Sequence, residues 1–394
     1  MQQTMKILVI GGGIAGLTAA SRLATARHEV TLLEREPGLR TEGYMIDFFG
    51  PGIDVAERMG LLAALAAVHY PVSELVFVDG RSRVRAAIDY PRVRRSVFHD
   101  RHFNFMRGDL ERVLFEHLSP HVERRFGASP ETIVLDGDVV HVEDTAGRRE
   151  RYDLVVGADG VRSTTRRLAM SRESVVMRYL GCHTAAFILT GVPEELQRDA
   201  LVTLAEKDID VGAYPIRGGR TATFFLDRAA RPLEDRSEAA CREELEGAFR
   251  GRGWIIDQLL DAFPGDGDVY FDDVVQVEAE RWSRGRVVLI GDACGAVSLV
   301  AGQGASMAMT AGYVLAEEIA DGRGDVEQAL ARYEARIRPP VEARQQRARR
   351  NVRWFLPRSH LRAVLRDRVT DWLMRSPLAP MLGRRLGGTS IDLR

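Results

Sequence analysis

The sequence predicts an α/β fold: a parallel sheet that begins with a βαβ unit, a mixed β-sheet inserted into it, and a helical C-terminal segment. The βαβ unit is indicated by a β-branched run at Lys6–Ile10, an Ala- and Leu-rich stretch at 14–26 and a second apolar run at 29–33. Strand-like runs between residues 175 and 280, broken by one helical stretch, indicate the inserted sheet. From residue 304 onward the apolar spacing is helical.

Local patterns place the other elements in chain order. Strands are expected at 72–78, 83–88, 132–156 (a meander), 185–189, 209–214, 221–226, 269–277 and 286–290. Helices are expected at 51–68, 109–118, 237–263 (a helical pair), 304–319, 325–350 and 358–374. The pair Pro339-Pro340 should kink or divide the helix at 325–350, because proline lacks the amide that a helix interior requires.

The chain has 394 residues, of which 45% are apolar and 28% charged, a composition that suits a large globular core. This length favours two closely packed domains over a small module. The expected segments are 1–70, 100–175 and 281–330 for a discontinuous dinucleotide-binding domain, 71–99 and 176–280 for a substrate-binding sheet domain, and 331–394 for C-terminal helices that pack on the body.

Two classes of protein are not expected. The longest apolar stretch near the start, residues 61–68, is far shorter than the roughly 20 residues that span a bilayer, and the N-terminus has no signal-peptide pattern. We therefore expect a cytoplasmic protein. Cys182, Cys241 and Cys294 are widely spaced, which favours free thiols over a disulfide framework, and no histidine spacing indicates a metal site.

Charge is unevenly distributed along the chain. Residues 331–394 hold 16 arginines against 5 acidic residues, although the formal net charge of the whole chain is −1. A basic end of this kind suits either contact with an acidic body or binding to nucleic acid or an anionic membrane. The interleaved apolar residues favour packing on the body, so we expect neither nucleic acid nor membrane as a partner.

The first motif with chemical meaning is a GxGxxG turn between the first strand and the first helix. Gly11 permits the tight turn, Gly13 lets the backbone approach a pyrophosphate, and Gly16, next to Ala15, allows close packing of helix and strand. Glu34 ends the second strand, where its carboxylate can accept hydrogen bonds from ribose hydroxyls. The pattern predicts a Rossmann-like dinucleotide site, without distinguishing NAD from FAD.

Two further motifs follow in order. Gly157-Ala158-Asp159-Gly160-Val161-Arg162-Ser163-Thr164-Thr165-Arg166 fits DGxxSxxR after a strand. Gly291-Asp292-Ala293 closes another strand and is followed by Gly302-Gln303-Gly304. With these three motifs, residues 5 to about 350 resemble the class A FAD-dependent monooxygenases of the p-hydroxybenzoate hydroxylase type. The resemblance implies an FAD-binding domain with non-covalently bound FAD.

Carried over by position, the resemblance implies roles for individual residues. Glu34 would hold the adenosine ribose, with Arg35 beside it. Arg107 would contact the chain that links the two halves of the cofactor. Asp292 would accept a hydrogen bond from a ribityl hydroxyl, and Asp159 would brace the site. The alternatives are a surface charge for Arg107 and turn residues for Asp159 and Asp292. The expected cofactor-binding residues are Gly11, Gly13, Ala15, Gly16, Glu34, Arg35, Arg40, Asp47, Arg107, Asp159, Asp292, Gly302, Gln303 and Gly304.

The loop at 40–47 resembles that of the tetracycline-inactivating and polyketide-modifying members of the class. This match makes Arg40 a candidate for the phosphate of the pyridine nucleotide and Asp47 a candidate for the flavin site. A solvated arginine and a turn aspartate are the alternatives.

A helix that begins at Gly302-Gln303-Gly304 would direct its positive end at the flavin pyrimidine ring, stabilising the negative charge of reduced flavin. The sequence departs from the family nearby. Gly295 stands where a histidine is frequent, residues 298–300 (Ser-Leu-Val) where prolines are frequent, and Ser306 where an asparagine is frequent. The departures concern the region where oxygen would react.

The predicted activity is hydroxylation of an aromatic or polyketide-like small molecule, as in antibiotic biosynthesis or modification. No second GxGxxG is present in the sequence, so we expect NAD(P)H to bind transiently, reduce FAD and leave. The resemblance implies that reduced flavin and molecular oxygen then form a C(4a) hydroperoxide. The alternatives are a reductase or desaturase without oxygen insertion, and a flavin-loaded redox sensor whose basic C-terminus binds a partner. The substrate, the choice of NADH or NADPH and the oligomeric state stay open.

Candidate substrate contacts come from the inserted sheet. His183 is the candidate for a polarising catalytic base, with a structural histidine as the alternative. Aromatic side chains that could line the pocket, or pack in the core, are Tyr214, Phe224, Phe225, Phe271, Phe48 and Phe49.

Overall fold

The structure is a computed structural model. It describes residues 4–39, 44–170, 175–196, 199–264, 269–321 and 325–375, together with residues 391 and 393.

The strands are numbered in chain order. They are β1 Lys6–Ile10, β2 Glu29–Glu34, β3 Met45–Phe49, β4 Glu74–Val78, β5 Val84–Asp89, β6 His102–Met106, β7 Glu123–Phe126, β8 Pro130–Asp136, β9 Val139–Asp144, β10 Arg149–Tyr152, β11 Leu154–Gly157, β12 Val175–Thr190, β13 Ala200–Glu206, β14 Ile209–Ile216, β15 Arg220–Arg228, β16 Val269–Ala279, β17 Ser283–Arg284 and β18 Val287–Leu289.

The helices are numbered in the same way. They are α1 Ile14–Thr25, α2 Pro51–Arg58, α3 Leu62–Val68, α4 Tyr90–Phe98, α5 Arg107–Glu116, α6 Thr164–Ala169, α7 Glu238–Phe249, α8 Ile256–Asp261, α9 Asp292–Gly295, α10 Gly304–Asp321, α11 Val326–Phe355 and α12 His360–Arg375, with a 3-10 turn at Leu299–Ala301.

The first sheet has the strand order β17-β18-β11-β1-β2-β7. Its pairs are parallel except for β17 with β18. The central strands β1 and β11 are buried on both faces, as expected for a parallel sheet covered by helices. This arrangement confirms the predicted Rossmann-like part of the fold and brings the ends of β1, β2, β11 and β18 to one edge.

The second sheet is mixed and has the order β16-β12-β15-β14-β13-β4-β5, with β13 and β4 parallel. The inserted mixed sheet is therefore confirmed. One face packs under α7 and α8 around Phe187, Phe225 and Phe249. Because side chains alternate along a strand, the neighbours of these residues point to the opposite face, which lies towards the first sheet domain. The segment boundaries expected for the two domains stay a prediction.

Two smaller sheets accompany the two large ones. The predicted meander forms a three-stranded sheet, β10-β9-β8, and β3 pairs with β6 in a separate ribbon. The stretch expected to be helical at 51–68 forms two helices, α2 and α3, which are separated around Gly60, whose φ is 72°.

Helix α11 continues through Pro339 and Pro340, so the expected division of this helix is wrong. Its N-terminal half is fixed to α10 by ion pairs from Arg332 and Arg336 to the fully buried Glu318. These tertiary contacts outweigh the local preference of proline. Among the described residues, no helix combines the length and the hydrophobicity that crossing a membrane requires.

Candidate active site

The glycine turn after β1 leaves no room for side chains at two positions. Gly11 has a φ of 109°, and a Cβ there would lie 2.4 Å from the carbonyl oxygen of Ala158. A Cβ on Gly16 would lie 1.9 Å from the carbonyl oxygen of Gly11. Gly13 precedes α1 without a side-chain cap, so the turn offers the backbone N–H groups at the start of α1 to a ligand.

The acid at the end of β2 lies beside this turn. Glu34 accepts a hydrogen bond from the amide of Gly12 at 2.5 Å, so the structure brings together the two parts of the predicted dinucleotide site. Arg35 is adjacent, as the sequence requires, and its exposed guanidinium pairs with Glu36 at 3.0 Å. Arg35 therefore lies at the rim of the turn.

The second motif is held by its own side chains and contacts the third motif. Asp159 accepts hydrogen bonds from the hydroxyl of Ser163 and from the amide of Thr165, the latter at 2.8 Å, which fixes the start of α6. Arg166 donates to the carbonyl oxygen of Ala293 at 2.7 Å. These contacts of Asp159 lie within its own motif, and its role in bracing the FAD site stays a prediction.

The third motif completes the edge of the sheet. Gly291 has a φ of 60°, and a Cβ there would lie 3.0 Å from the Cβ of Ala15 on α1. Asp292 follows at the start of α9; burial raises its pKa, and the positive charge of Arg107 opposes that shift. Asp292 and Arg107 therefore lie close enough to interact, although they are distant in sequence.

Arg107 connects the glycine turn to the inserted sheet. It pairs with Glu111 at 3.1 Å, and this carboxylate chiefly raises the pKa of Arg107 above its usual value. The Oε1 atom of Glu111 lies 3.8 Å from the position a Cβ on Gly13 would take. The backbone amide of Arg107 donates to the carbonyl oxygen of Tyr44 at 3.1 Å. Glu111 was not among the site residues expected from the sequence, although its spacing of four residues from Arg107 is that of a helical ion pair.

The segment 302–304 lies where the 3-10 turn meets α10. Gly302 has a φ of 64°, Gln303 is buried, and α10 begins at Gly304. The Oε1 atom of Gln303 accepts a hydrogen bond from Nε of Arg344 on α11 at 2.5 Å. The predicted helix start is therefore present, and a buried arginine from a later helix supports it.

Two of the departures from the family pattern have structural explanations. Ser306 accepts a hydrogen bond from the amide of Gly52 at 2.8 Å and so ties α10 to α2. A Cβ on Gly295 would lie 2.8 Å from Val341 and 3.1 Å from Trp282, so packing of α11 leaves space only for glycine.

An aromatic cluster, formed by Tyr44, Phe224 and Tyr270, faces these charged residues. The ring centroids of Tyr44 and Tyr270 are 5.7 Å apart, and those of Tyr44 and Phe224 are 6.3 Å apart. Burial raises the pKa of Tyr44, with Arg107 opposing, and burial also raises the pKa of Tyr270. Both phenols therefore keep their protons at neutral pH and can donate hydrogen bonds.

Other aromatic candidates lie elsewhere. Phe225 and Phe271 alternate with Phe224 and Tyr270 and face the core under α7 and α8. Phe48 is fully buried against Phe105. The other two candidates are Phe49 and Tyr214. Phe49 packs against Phe98, and the hydroxyl of Tyr214 accepts a hydrogen bond from the amide of Met45, near the aromatic cluster.

Asp47 belongs to a polar network on the β3–β6 ribbon. Its Oδ1 atom contacts Nε2 of His102 at 3.0 Å and accepts hydrogen bonds from Tyr90 at 2.5 Å and Asn104 at 2.7 Å. The side chain is 49% exposed. Its contribution to the flavin site stays a prediction, and Arg40 lies outside the described residues.

His183 is held by groups of the inserted sheet. Its Nε2 atom lies 3.0 Å from the carbonyl oxygen of Arg231 and 3.6 Å from Asp273. It alternates with Thr184 and so shares the face of Ala185, which packs under α7. This placement is on the opposite face from Tyr270 and favours the structural role over that of a catalytic base.

Comparison with known proteins agrees with this geometry. Residues 4–348 match the family described as FAD binding domain. The chain belongs to this FAD-binding family. A flavin-dependent monooxygenase from an unknown prokaryotic organism is 32% identical over 88% of this chain and 89% of its own length.

Solved structures extend the comparison over the whole chain. The tetracycline destructase Tet(55) is 28% identical, covers 100% of both chains and superposes with a TM-score of 0.85. HpxO of Klebsiella pneumoniae, solved with FAD and uric acid, has a TM-score of 0.81 over 98% of both chains but is 22% identical, so it shows the fold alone. These findings confirm a class A FAD-dependent monooxygenase; FAD is its cofactor, and NAD(P)H is the co-substrate typical of the family.

Proposed function

We propose that this monooxygenase hydroxylates an aromatic or polyketide-like small molecule held against the aromatic cluster. The observation that carries the proposal is the position of Tyr44, Phe224 and Tyr270 opposite Arg107 and Asp292. Flat aromatic surfaces and protonated phenols suit a planar substrate with oxygen substituents.

The residues of the sheet edge suit FAD. The glycine turn has no space for a Cβ at Gly11 or Gly16, so glycine is required there for the tight turn and for close packing of α1, and the turn presents the backbone of Gly13 to a pyrophosphate. Glu34 would hold the adenosine ribose, and Asp292, whose pKa burial raises, would meet a ribityl hydroxyl. The start of α10 at Gly304 would face the pyrimidine ring.

Each part of the chain has a defined task in this proposal. When bound, FAD supplies the redox chemistry, taking two electrons from NAD(P)H and activating oxygen. Arg107 supplies positive charge between the glycine turn and Asp292, while Tyr44 and Tyr270 position the substrate and donate hydrogen bonds. The identity of the oxygen intermediate and the role of Arg40 in binding NAD(P)H stay predictions.

The experiment is an assay of NADPH oxidation, oxygen consumption and product mass across a panel of phenols and fused-ring polyketides. A true substrate should stimulate NADPH oxidation, and the product should gain one oxygen atom. Peroxide should appear when coupling fails. Turnover that is indifferent to oxygen and yields no oxygenated product would contradict hydroxylation and favour a reductase.

A tetracycline is the first fused-ring compound to test. The likeness to Tet(55) extends over the entire chain, and the aromatic cluster suits a flat polycyclic ligand. Modification of single-ring phenols with no effect on tetracyclines would assign the enzyme to smaller aromatic substrates.

The placement of the flavin has its own test. Asp292→Ala should lose much of its bound FAD, whereas Asp138→Ala, which alters an exposed aspartate, should remain yellow. Unchanged FAD content in Asp292→Ala would contradict the assignment of this carboxylate.

A further inference from the structure

Arg344 on α11 is a buried cation with an unsatisfied donor. Its side chain is 4% exposed. Nε donates to Gln303 at 2.5 Å and Nη1 donates to the carbonyl oxygen of Pro340 at 3.0 Å. Nη2 is buried without a hydrogen-bond partner. Both observed partners are neutral acceptors, so neither balances the charge.

Other arginines of α11 are paired with carboxylates. The pairs are Arg332 and Arg336 with Glu318, Arg338 with Glu334, and Arg349 with Glu278. Within the described part of the chain, Arg344 has no such partner, and its charged neighbour is the positive Arg347. Burial and this neighbour lower the pKa of Arg344 to about 10, which leaves it charged at neutral pH.

A buried charge without a counter-charge is unfavourable, because the lost hydration is not replaced. Such groups are found where a site uses the charge. The contact of Arg344 with Gln303 points to the proposed flavin site, because Gln303 lies between Gly302 and Gly304, at the start of α10. The positive end of the α10 dipole and the guanidinium therefore act on the same segment.

We propose that Arg344 provides the counter-charge that stabilises the anionic, two-electron-reduced form of the bound flavin across the 302–304 segment. This inference rests on the flavin placement proposed above. Reduced flavin carries its negative charge on the pyrimidine ring, so Arg344 favours reduction of FAD by NAD(P)H. The hydrogen bond to Gln303 positions the guanidinium behind the 302–304 segment, so its charge would act on the flavin through this segment and not by direct contact.

The test is a redox titration of the FAD-loaded enzyme and three variants. In Arg344→Met, the preference for reduced over oxidised FAD should fall about tenfold, which lowers the two-electron potential by about 30 mV. Arg344→Lys keeps the charge and should retain most of the wild-type potential. Arg347→Met is the matched control: it removes an exposed positive charge from the same turn of α11 and should leave the potential unchanged.

Three results would overturn the inference. A wild-type potential in FAD-loaded Arg344→Met would show that the charge does not act on the flavin, while leaving the flavin placement intact. An equal fall of the two-electron potential in Arg344→Lys and Arg344→Met would show that Arg344 only holds Gln303 in place. A fall of the potential in Arg347→Met equal to that in Arg344→Met would show an effect of the net charge of the protein. If Arg344→Met does not retain FAD, Arg344→Gln takes its place. The affinities of this variant for added oxidised and reduced FAD then give its preference for the reduced form.

Discussion

Glu34 accepts a hydrogen bond from the backbone amide of Gly12, with Oε2 2.5 Å from the nitrogen. Its other oxygen accepts the amide of Glu36 at 2.9 Å. The carboxylate is therefore fixed by backbone groups on both sides, and both contacts lie at the edge where β1 and β2 end. A ribose held by this carboxylate meets an oriented acceptor rather than a mobile side chain.

Replacing Glu34 by alanine should weaken FAD binding. A hydrogen bond to a charged group contributes about 1.5–3 kcal/mol, so the Kd for FAD should rise by roughly 10- to 100-fold. Quenching of flavin fluorescence during titration of the apoprotein measures this constant. Glu36→Ala is the neighbouring control and should bind FAD with nearly wild-type affinity. Equal weakening by both substitutions would indicate a general effect of charge.

The glycine turn allows a second prediction. A Cβ on Gly16 would meet the carbonyl oxygen of Gly11 at 1.9 Å, so Gly16→Ala must displace α1 from the turn. Overpacking of this kind destabilises by about 1–3 kcal/mol, and FAD content should fall with it. Thermal unfolding and absorbance at the flavin bands measure the two effects.

Gly38→Ala provides the comparison for Gly16→Ala. A Cβ on Gly38 has no atom within 4 Å, so this variant should match the wild type in both measurements. If Gly16→Ala were as stable and as yellow as Gly38→Ala, the turn would not require close contact between α1 and β1.

The sequence predicts the arrangement of the glycine turn and Glu34 because the signals for both are local. Gly11, Gly16 and Glu34 lie within one βαβ unit, where a glycine pattern and strand spacing determine the geometry. The same holds for Asp159 and Asp292, which lie two residues after the end of β11 and three residues after the end of β18.

The substrate side was less predictable because it depends on contacts between distant segments. Tyr270 alternates with Phe271 along β16, and the sequence does not reveal which of the two faces the flavin domain. Phe271 was among the candidates for the pocket or the core and packs in the core, whereas Tyr270 was not among the candidates. Arg344 depends on the course of α11 past Pro339 and Pro340, which local propensity predicted wrongly. Strand β13 was missed because its Ala and Leu content does not distinguish strand from helix.

Removing the Tyr270 ring should weaken substrate binding. An aromatic contact contributes about 0.5–1.5 kcal/mol beyond its buried area, so Tyr270→Ala should raise KM about tenfold. Tyr270→Phe keeps the ring and should preserve most of the affinity, while losing the hydrogen bond of the phenol. Steady-state NADPH oxidation with an identified substrate gives KM, and FAD content should not change in either variant.

Phe271→Leu is the matched control for the aromatic cluster, because Phe271 occupies the next position on β16 and faces the core. It should lower thermal stability and leave KM unchanged. If Phe271→Leu raised KM while Tyr270→Ala did not, the substrate would bind on the other face of the sheet.

A last prediction concerns Asp227 on β15, whose stability contribution depends on pH. Burial, with repulsion from Glu244, raises the pKa of Asp227 to about 7, whereas an aspartate in the unfolded chain titrates near 4. The folded state therefore holds a proton that the unfolded state releases. The contribution of the Asp227 carboxyl to the free energy of unfolding is fully present below about pH 4 and is lost as the pH rises through about 7.

Asp227→Asn should remove this dependence, because asparagine stays neutral. The stability gain of the variant over the wild type should be larger at pH 8 than at pH 5 by roughly 2 kcal/mol, because the folded wild type loses its proton only between these two pH values, whereas the unfolded chain has already released it. Thermal unfolding with saturating FAD at both pH values measures the difference. Glu131→Gln removes an exposed carboxylate and should show no such pH-dependent gain. A gain for Asp227→Asn of equal size at pH 5 and pH 8 would show that the carboxyl of Asp227 is not protonated in the folded enzyme at pH 5.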